Sequence, residues 1–209
     1  MQYPKNKKIL FLAGNKDCKK TCFQIFDKKC IKFLVNLSIN IIKDHEAKKF
    51  PDLIAFAFWI RQKNLDKIKL NYQNNEIRFG QGLAFHITPS NIALNFAYSF
   101  VLSLLAGNSN IVRISSTKFK QNDVFFSILR KFLRKKKFNL IKNNNLFINY
   151  DHSDEITKHI SMEADCRIVW GSDKTIQSFK NFPSKPLCKD IFFPDRYSIS
   201  IINLHSIEK

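Results

Sequence analysis

The chain has 209 residues, and 44% of them are hydrophobic, including 21 phenylalanines. This length and composition predict a packed core in one domain or slightly more, and they exclude an intrinsically disordered chain. Basic residues outnumber acidic ones by 35 to 17, which gives a formal charge of +18 and makes nucleic-acid binding the first hypothesis to consider.

The composition offers a simpler source for this charge. Only 7 of the 35 basic residues are arginine, while lysine, asparagine, isoleucine and phenylalanine together make up 95 residues. These four residues are read from A/T-rich codons, so a genome with a strong A/T bias would produce the same profile. Nucleic-acid-binding modules also favour arginine, whose planar fork reads phosphates and guanines. Codon bias therefore explains the charge better than nucleic-acid binding, which stays open as an alternative at the basic cluster 130–137.

Cysteine usage and the first residues of the chain predict a cytoplasmic protein. The five cysteines are odd in number and irregularly spaced, which argues against a disulfide framework. The first ten residues show no signal-peptide pattern, and no apolar run reaches the roughly 18–20 residues that span a bilayer. Cys18 and Cys22 lie four residues apart, but no histidine is near them in the sequence, so no metal site is predicted.

The first part of the chain is predicted to be a helical segment. Apolar residues recur at three- and four-residue steps within 17–48, which predicts a helix there. Pro51 suits the first position of a second helix, which we expect to end near Arg61. Residues 71–79 lack this periodicity and predict a loop that enters a strand. We therefore assign residues 1–78 to an N-terminal helical segment.

From residue 79 to residue 209, short apolar strands alternate with helices. This alternation predicts an α/β fold with a mostly parallel, Rossmann-like sheet, whose ligands bind at the carboxyl ends of the strands. Small or polar residues fall at every fourth position from Asn91 to Gly107, so one face of that helix should pack closely on the sheet. His86 lies in an apolar strand, where we expect a hydrogen-bonded core histidine. The predicted strands are 83–87, 110–115, 146–150, 166–170 and 197–202, with helices at 92–106 and 123–138 and after Ser153 and Gly171.

Two strand ends carry candidate functional residues. Asn91 follows the first strand of the alternation, and its amide is able to donate to a developing oxyanion, although an ordinary helix N-cap is the plainer interpretation. Gly171 and Ser172 open a helix directly after a strand, where free N–H groups suit a phosphate, although a tight turn explains them as well. Gly80 and Gly82 precede a strand instead of following one, so they are excluded as a dinucleotide fingerprint.

Four segments carry a resemblance to a known family. The run FHITPSNIALNFAYSFVLSLLAGNSNIVRISS at 85–116 combines a Pro-x-Asn turn with an Ala-Gly-Asn, strand, basic-residue segment. Together with 50–65, 168–176 and 192–202, it resembles the acyl-CoA reductase family of bacterial bioluminescence operons, a branch of the aldehyde dehydrogenase superfamily. The four segments occur in the family's order, and the likeness as a whole spans roughly residues 28–202.

The resemblance implies an enzyme. The reaction it implies is the NADPH-dependent reduction of a long-chain fatty acyl thioester to the fatty aldehyde, through an acyl-cysteine intermediate. The acyl group would come from fatty acyl-CoA or an acyl carrier, an acyl-protein synthetase is a possible partner, and the protein could form homo-oligomers. Asn91 matches the oxyanion-hole amide of the family.

The resemblance also implies a cofactor site for NADP. Arg113 matches the basic residue on the adenosine ribose. Ser116 stands where NAD-preferring aldehyde dehydrogenases place a glutamate, which favours NADP because a carboxylate would repel the 2′-phosphate whereas Arg113 or Lys118 would attract it. Gly171 and Ser172 match the helix start that contacts the pyrophosphate. The full set of implied cofactor residues is Thr88, Pro89, Ser90, Arg113, Ser115, Ser116, Gly171 and Ser172.

One part of the family pattern has no counterpart in the sequence. The family's nucleophilic cysteine follows the strand that matches 192–202, and no cysteine lies there. Cys166 and Cys188 lack the motif context of the nucleophile. We therefore expect this chain to be the N-terminal, cofactor-binding half of the enzyme and to be inactive alone, whether as a gene fragment, a frameshift product or half of a split enzyme. A nucleotide-binding or partner-docking module is the alternative.

Overall fold

The structure is a computed structural model, and it describes residues 9–72, 76–196 and 198–201. These described residues form six strands and eight α-helices, together with short 3₁₀ turns at Ala47–Lys49 and Lys136–Phe138. The strands are β1 (Leu10–Gly14), β2 (Leu83–Ile87), β3 (Ser109–Ile114), β4 (Asn145–Asn149), β5 (Cys166–Trp170) and β6 (Lys189–Phe193). The helices are α1 (Lys28–Lys43), α2 (Pro51–Trp59), α3 (Gln62–Tyr72), α4 (Asn95–Leu105), α5 (Lys120–Leu133), α6 (Asn139–Asn143), α7 (Asp154–Glu163) and α8 (Asp173–Lys180).

The six strands form one sheet in the order β1-β4-β3-β2-β5-β6. Strands β2 to β6 are parallel, and β1 pairs with β4 in the antiparallel direction. The parallel strands therefore follow the first five positions of the Rossmann order 3-2-1-4-5-6, with the first of them, β2, at the centre. The predicted α/β fold with a mostly parallel sheet is confirmed.

Helices cover both faces of the sheet. Because side chains alternate along a strand, Phe147 of β4 faces one layer while Leu146 and Ile148 face the other. The first layer is a core rich in phenylalanine, to which α1, α2, α4 and α5 contribute. In this core the rings of Phe100 and Phe147 pack edge to face, with their centroids 4.9 Å apart. The second layer is built from α7 and α8, which bury Ile160 and other apolar side chains.

Helix α1 is shorter than the sequence predicted. The predicted helix at 17–48 was wrong at both ends, because the structure has helix only over Lys28–Lys43. Asp27 begins it, since its side chain accepts a hydrogen bond from the amide of Lys29 at 2.6 Å and satisfies a donor that the helix cannot. The segment before Asp27 is irregular and runs along the end of α4, where the amide of Phe23 donates to the carbonyl of Gly107.

The two edge strands differ from the prediction. β1 was not predicted at all, although it completes one edge of the sheet. The predicted strand at 197–202 was wrong, because Ser198–Ile201 form no strand; Tyr197 and Ile202 lie outside the described residues. The strand beside β5 is instead Lys189–Phe193. The sequence did not predict this strand because it begins with the charged residues Lys189 and Asp190 and therefore lacks an apolar pattern. Asp190 pairs instead with the buried Arg167 of β5.

Two turns of α4 pack against the sheet as the spacing predicted. Ser99 and Ser103 are buried, and the Ser99 hydroxyl lies 2.9 Å from His86 Nδ1. His86 Nε2 lies 3.0 Å from Asn110 Oδ1, so both ring nitrogens have partners and the expected core histidine is confirmed. Burial lowers the pKa of His86 to about 4, which keeps the imidazole neutral. The helix itself begins at Asn95, three residues later than predicted.

Candidate cofactor site at the carboxyl ends of the strands

The centre of the sheet is also the point where its strand order reverses. β2 has β3 on one side and β5 on the other, so the segments that follow β2 and β5 leave the sheet beside each other. The connections then diverge to opposite faces, which opens a crevice at the carboxyl ends of the strands. Residues 88–91 directly follow β2, and Gly171 and Ser172 directly follow β5. The two groups of residues predicted at strand ends therefore flank the same crevice.

Asn91 is free to act on a ligand. The prediction that it starts the helix was wrong, because α4 begins at Asn95 with Leu94 at the N-cap position. Asn91 is exposed, and within the described part of the chain no hydrogen bond engages its amide. The plainer interpretation of Asn91 as a helix cap therefore does not apply. Thr88 is buried and donates to the carbonyl of Arg113 at 2.9 Å, which ties the turn after β2 to β3.

Arg113 carries a positive charge that no carboxylate neutralises among the residues that the structure describes. Its guanidinium donates from Nη2 to the carbonyl of Tyr150 at 3.2 Å, and its Cζ lies 4.8 Å from the centroid of the Tyr150 ring. Burial raises the pKa of Tyr150 to about 12, so Arg113 faces a neutral phenol. The Nε–H of Arg113 is buried without a partner. Such a group costs about 1–3 kcal/mol and is often explained by a ligand.

Helix α8 begins directly after β5. Ser172 is its N-cap, with Oγ accepting from the amide of Thr175 at 3.3 Å. A Cβ on Gly171 would lie 3.0 Å from the Thr175 side chain, so any larger residue would crowd the first turn. The other amides at this helix start lack intrahelical acceptors, and together with the helix dipole they suit a phosphate. Asp173 in the first turn opposes an anion there.

The predicted ribose-binding residues divide between two places. Arg113 lies against Tyr150, whereas Ser115, Ser116 and Lys118 line a separate cavity of about 330 Å³ beside the start of α5. The Ser116 hydroxyl connects the two places, because it donates to Asp151 Oδ1 at 3.3 Å just beyond Tyr150.

The sequence analysis missed Asp151. Ser116 replaces the glutamate that marks NAD preference, yet a carboxylate from the end of β4 lies at the Ser116 side chain. An acidic residue directly after a strand of a parallel sheet was the available signal, because such residues lie at the ligand-binding edge.

A comparison with protein families identifies the chain. The family model described as "Acyl-CoA reductase (LuxC)" matches residues 37–206, which is most of the sequence. The chain belongs to this family. This match confirms the resemblance to the acyl-CoA reductase family that was inferred from the sequence. A separate comparison with curated proteins found no match.

Two solved structures are similar to this acyl-CoA reductase family member. A putative aldehyde dehydrogenase from Burkholderia cenocepacia aligns with a TM-score of 0.47 and 15% identity, over 80% of this chain and 37% of the other. A NAD-dependent benzaldehyde dehydrogenase from Corynebacterium glutamicum aligns with a TM-score of 0.49 and 14% identity, over 90% of this chain and 54% of the other. The chain thus spans about half the length of these enzymes or less.

None of the cysteines in this acyl-CoA reductase family member has the environment of a nucleophile. Cys166 begins β5, at the end of the strand away from Gly171, and burial raises its pKa to about 12. Burial raises the pKa of Cys18 and Cys30 to about 12 as well, and it also raises that of Cys22 and Cys188. An acyl-transfer cysteine needs the opposite shift, toward the thiolate.

The described residues contain neither a metal cluster nor a membrane span. No three histidine, cysteine or acidic side chains come together as metal ligands within 9–72, 76–196 and 198–201. In the same part of the chain, every helix is too short or too polar to cross a bilayer.

Proposed function

We propose that this chain is the cofactor-binding part of an NADPH-dependent acyl-CoA reductase, which reduces a long-chain fatty acyl thioester to the aldehyde. The observation that carries the proposal is the strand-order reversal, where the segment with Asn91 and the start of α8 follow the neighbouring strands β2 and β5 in a chain of this family. The acyl group would arrive on coenzyme A or on a carrier protein. An acyl-protein synthetase as partner remains part of the same proposal.

The residues at the crevice fit a nicotinamide dinucleotide. The unpartnered Nε–H of Arg113 and its unneutralised charge suit the adenosine ribose or a 2′-phosphate, and Gly171 and Ser172 suit the pyrophosphate. Bound there, the reduced cofactor supplies a hydride to the acyl carbon. Asn91 has an amide free to donate to the thioester oxygen as negative charge develops on it.

The thiols limit what the chain does alone. Each described cysteine has a raised pKa, so none forms the acyl-cysteine readily near neutral pH. We therefore expect the isolated chain to bind the cofactor without turning over acyl-CoA.

The test is a pair of measurements on the purified chain. NADPH is titrated while the tryptophan fluorescence of the chain is followed, to which Trp170, directly before Gly171, contributes. NADPH oxidation is then monitored with a long-chain acyl-CoA. We expect saturable binding and no oxidation. Replacing Arg113 by glutamine should weaken NADPH binding by about tenfold or more, because a charge-assisted contact is lost.

The control for this variant is Arg61→Gln. Arg61 is exposed just after α2, and its guanidinium lies 5.4 Å from the centroid of the Phe58 ring, so the same charge is removed outside the proposed site. Equal weakening by both substitutions, or no NADPH binding at all, would contradict the cofactor site. Turnover by the pure chain would contradict the conclusion about its thiols.

A further inference from the structure

A second cavity lies at the opposite end of the sheet from the crevice. It has a volume of about 270 Å³ and lies between β1 and the carboxyl end of α5, with α6 and the start of β4 closing it. Because β1 is antiparallel, Gly14 pairs with Leu146 at the amino end of β4. The cavity therefore lies near the amino ends of the parallel strands and is separate from the crevice.

Four cationic side chains line this cavity. Arg130 lies in the last turn of α5, and Arg134 is the residue that caps this helix. Lys142 comes from α6, and Lys16 follows β1. No carboxylate lines the cavity, and among the described residues none of these four cations forms an ion pair. Part of the charge offsets the partial negative end of α5, but the rest has no counter-charge in the cavity wall. The floor is apolar and includes Leu133.

A β-bulge fixes one of the cations in place. The pairing of β1 with β4 shifts register between Phe11 and Ala13, which displaces Leu12 from the regular ladder. Nη1 of Arg130 donates to the carbonyl of Leu12 at 3.3 Å. The guanidinium is thus held at the cavity wall, and its remaining N–H groups are available to an acceptor.

We propose that this cavity binds a small molecule that carries phosphate groups. Two arginine forks suit the oxygens of a phosphate, and two lysines add charge. The volume accommodates a compact ligand such as a diphosphate, and Leu133 offers apolar contact to its organic part. The site is independent of the proposed cofactor crevice.

The experiment uses inorganic pyrophosphate as the probe and the ¹⁵N-labelled full chain. Amide shifts in the NMR spectrum locate binding, and calorimetry measures the affinity. We expect the largest shifts at Gly14 and Leu146, with little change at Gly171. The variant Arg134→Gln/Lys142→Gln should bind pyrophosphate at least about tenfold more weakly. Prior saturation of the chain with NADPH should leave the shifts at Gly14 and Leu146 unchanged, which separates the proposal from the cofactor site.

The matched control is Lys63→Gln/Lys67→Gln, which removes the same charge from exposed positions on α3. Equal weakening by both double variants would overturn the proposal, as would shifts centred on Gly171. Binding of a single-stranded oligonucleotide without binding of pyrophosphate would also overturn it, since a surface for long polyanions would then explain the charge. If the double variant loses its dispersed spectrum, Lys16→Gln, at an exposed position after β1, provides the same comparison.

Discussion

At the scale of single residues, Asp151 is the side chain that opposes the proposed NADPH preference. Its carboxylate lies 3.3 Å from the Ser116 hydroxyl, close to the Tyr150 carbonyl that Arg113 contacts. A 2′-phosphate near Arg113 would be repelled by this charge, whereas the two hydroxyls of an unphosphorylated ribose could donate to it.

Replacing Asp151 by asparagine should therefore shift cofactor preference toward NADPH. We expect the ratio of the NADH to the NADPH dissociation constant to rise about three- to tenfold, because the removed repulsion is partly screened by solvent. Fluorescence titration with both cofactors measures this ratio. Asp66→Asn on the exposed face of α3 is the control, and an unchanged ratio in Asp151→Asn would show that the carboxylate does not face the cofactor.

His86 makes the fold sensitive to acid. Its pKa falls from the usual value near 6.5 to about 4, because burial disfavours the charged ring. Below pH 6.5 the His86 imidazole becomes protonated in the unfolded chain but stays neutral in the folded chain. The free energy of unfolding therefore decreases as the pH falls toward 4. The cost amounts to about 2 kcal/mol at pH 5 relative to pH 7.

The variant His86→Gln should remove that cost. The free energy of unfolding, measured with urea at pH 7 and pH 5, should fall by about 2 kcal/mol less in the variant than in the wild type. Other acid-sensitive groups, such as Asp165 with its lowered pKa, remain in both proteins and cancel in the comparison. Identical losses in both proteins would show that His86 is not the acid-sensitive group.

At the scale of elements, an ion pair joins β6 to β5, beside the backbone pairing of the two strands and the stacking of Phe193 on Trp170. Arg167 of β5 is buried, and its Nε and Nη2 donate to the two carboxylate oxygens of Asp190 at 2.6 and 2.5 Å. Nη1 of Arg167 also donates to the carbonyl of Phe182. Removing the carboxylate would leave a buried guanidinium with only this carbonyl.

We therefore expect Asp190→Ala to lower the free energy of unfolding by about 3 kcal/mol. Urea denaturation followed by circular dichroism measures this change. Asp195→Ala, at an exposed position just beyond β6, removes the same charge and should change stability by less than about 0.5 kcal/mol. A small effect of Asp190→Ala would mean that Arg167 is solvated, and the ion pair would then not be what retains β6.

The same element explains how far sequence reasoning reaches. The four strands that were predicted correctly are apolar on both faces and buried, as the central strands of a parallel sheet must be. β6 has a charged first half and an exposed edge, so its pattern resembled a loop. β1 depends on a partner far along the chain, and its short apolar run, LFLAG, does not by itself distinguish a strand from a helix. The candidate site was predicted as strand ends, but the contact between Ser116 and Asp151 comes from two strands and required the structure.

At the scale of the whole molecule, the surplus charge has two different roles. Lysines such as Lys63 and Lys67 are spread over exposed helix faces, which is the distribution that codon bias predicts. A small part converges, however, where Arg130 and Arg134 meet Lys142 around one cavity. Net charge alone did not separate these cases, because the distinction depends on which side chains share a cavity wall without a carboxylate.

The position of β1 has a consequence for the order of events during synthesis. Leu10 pairs with Asn149, and these residues are separated by 139 positions. At translation rates of about 5–20 residues per second, β1 waits roughly 7–28 seconds on the ribosome before its partner exists. Its apolar sequence LFLAG is exposed throughout that time as an unpaired strand, which makes it the segment most open to wrong pairing in the nascent chain.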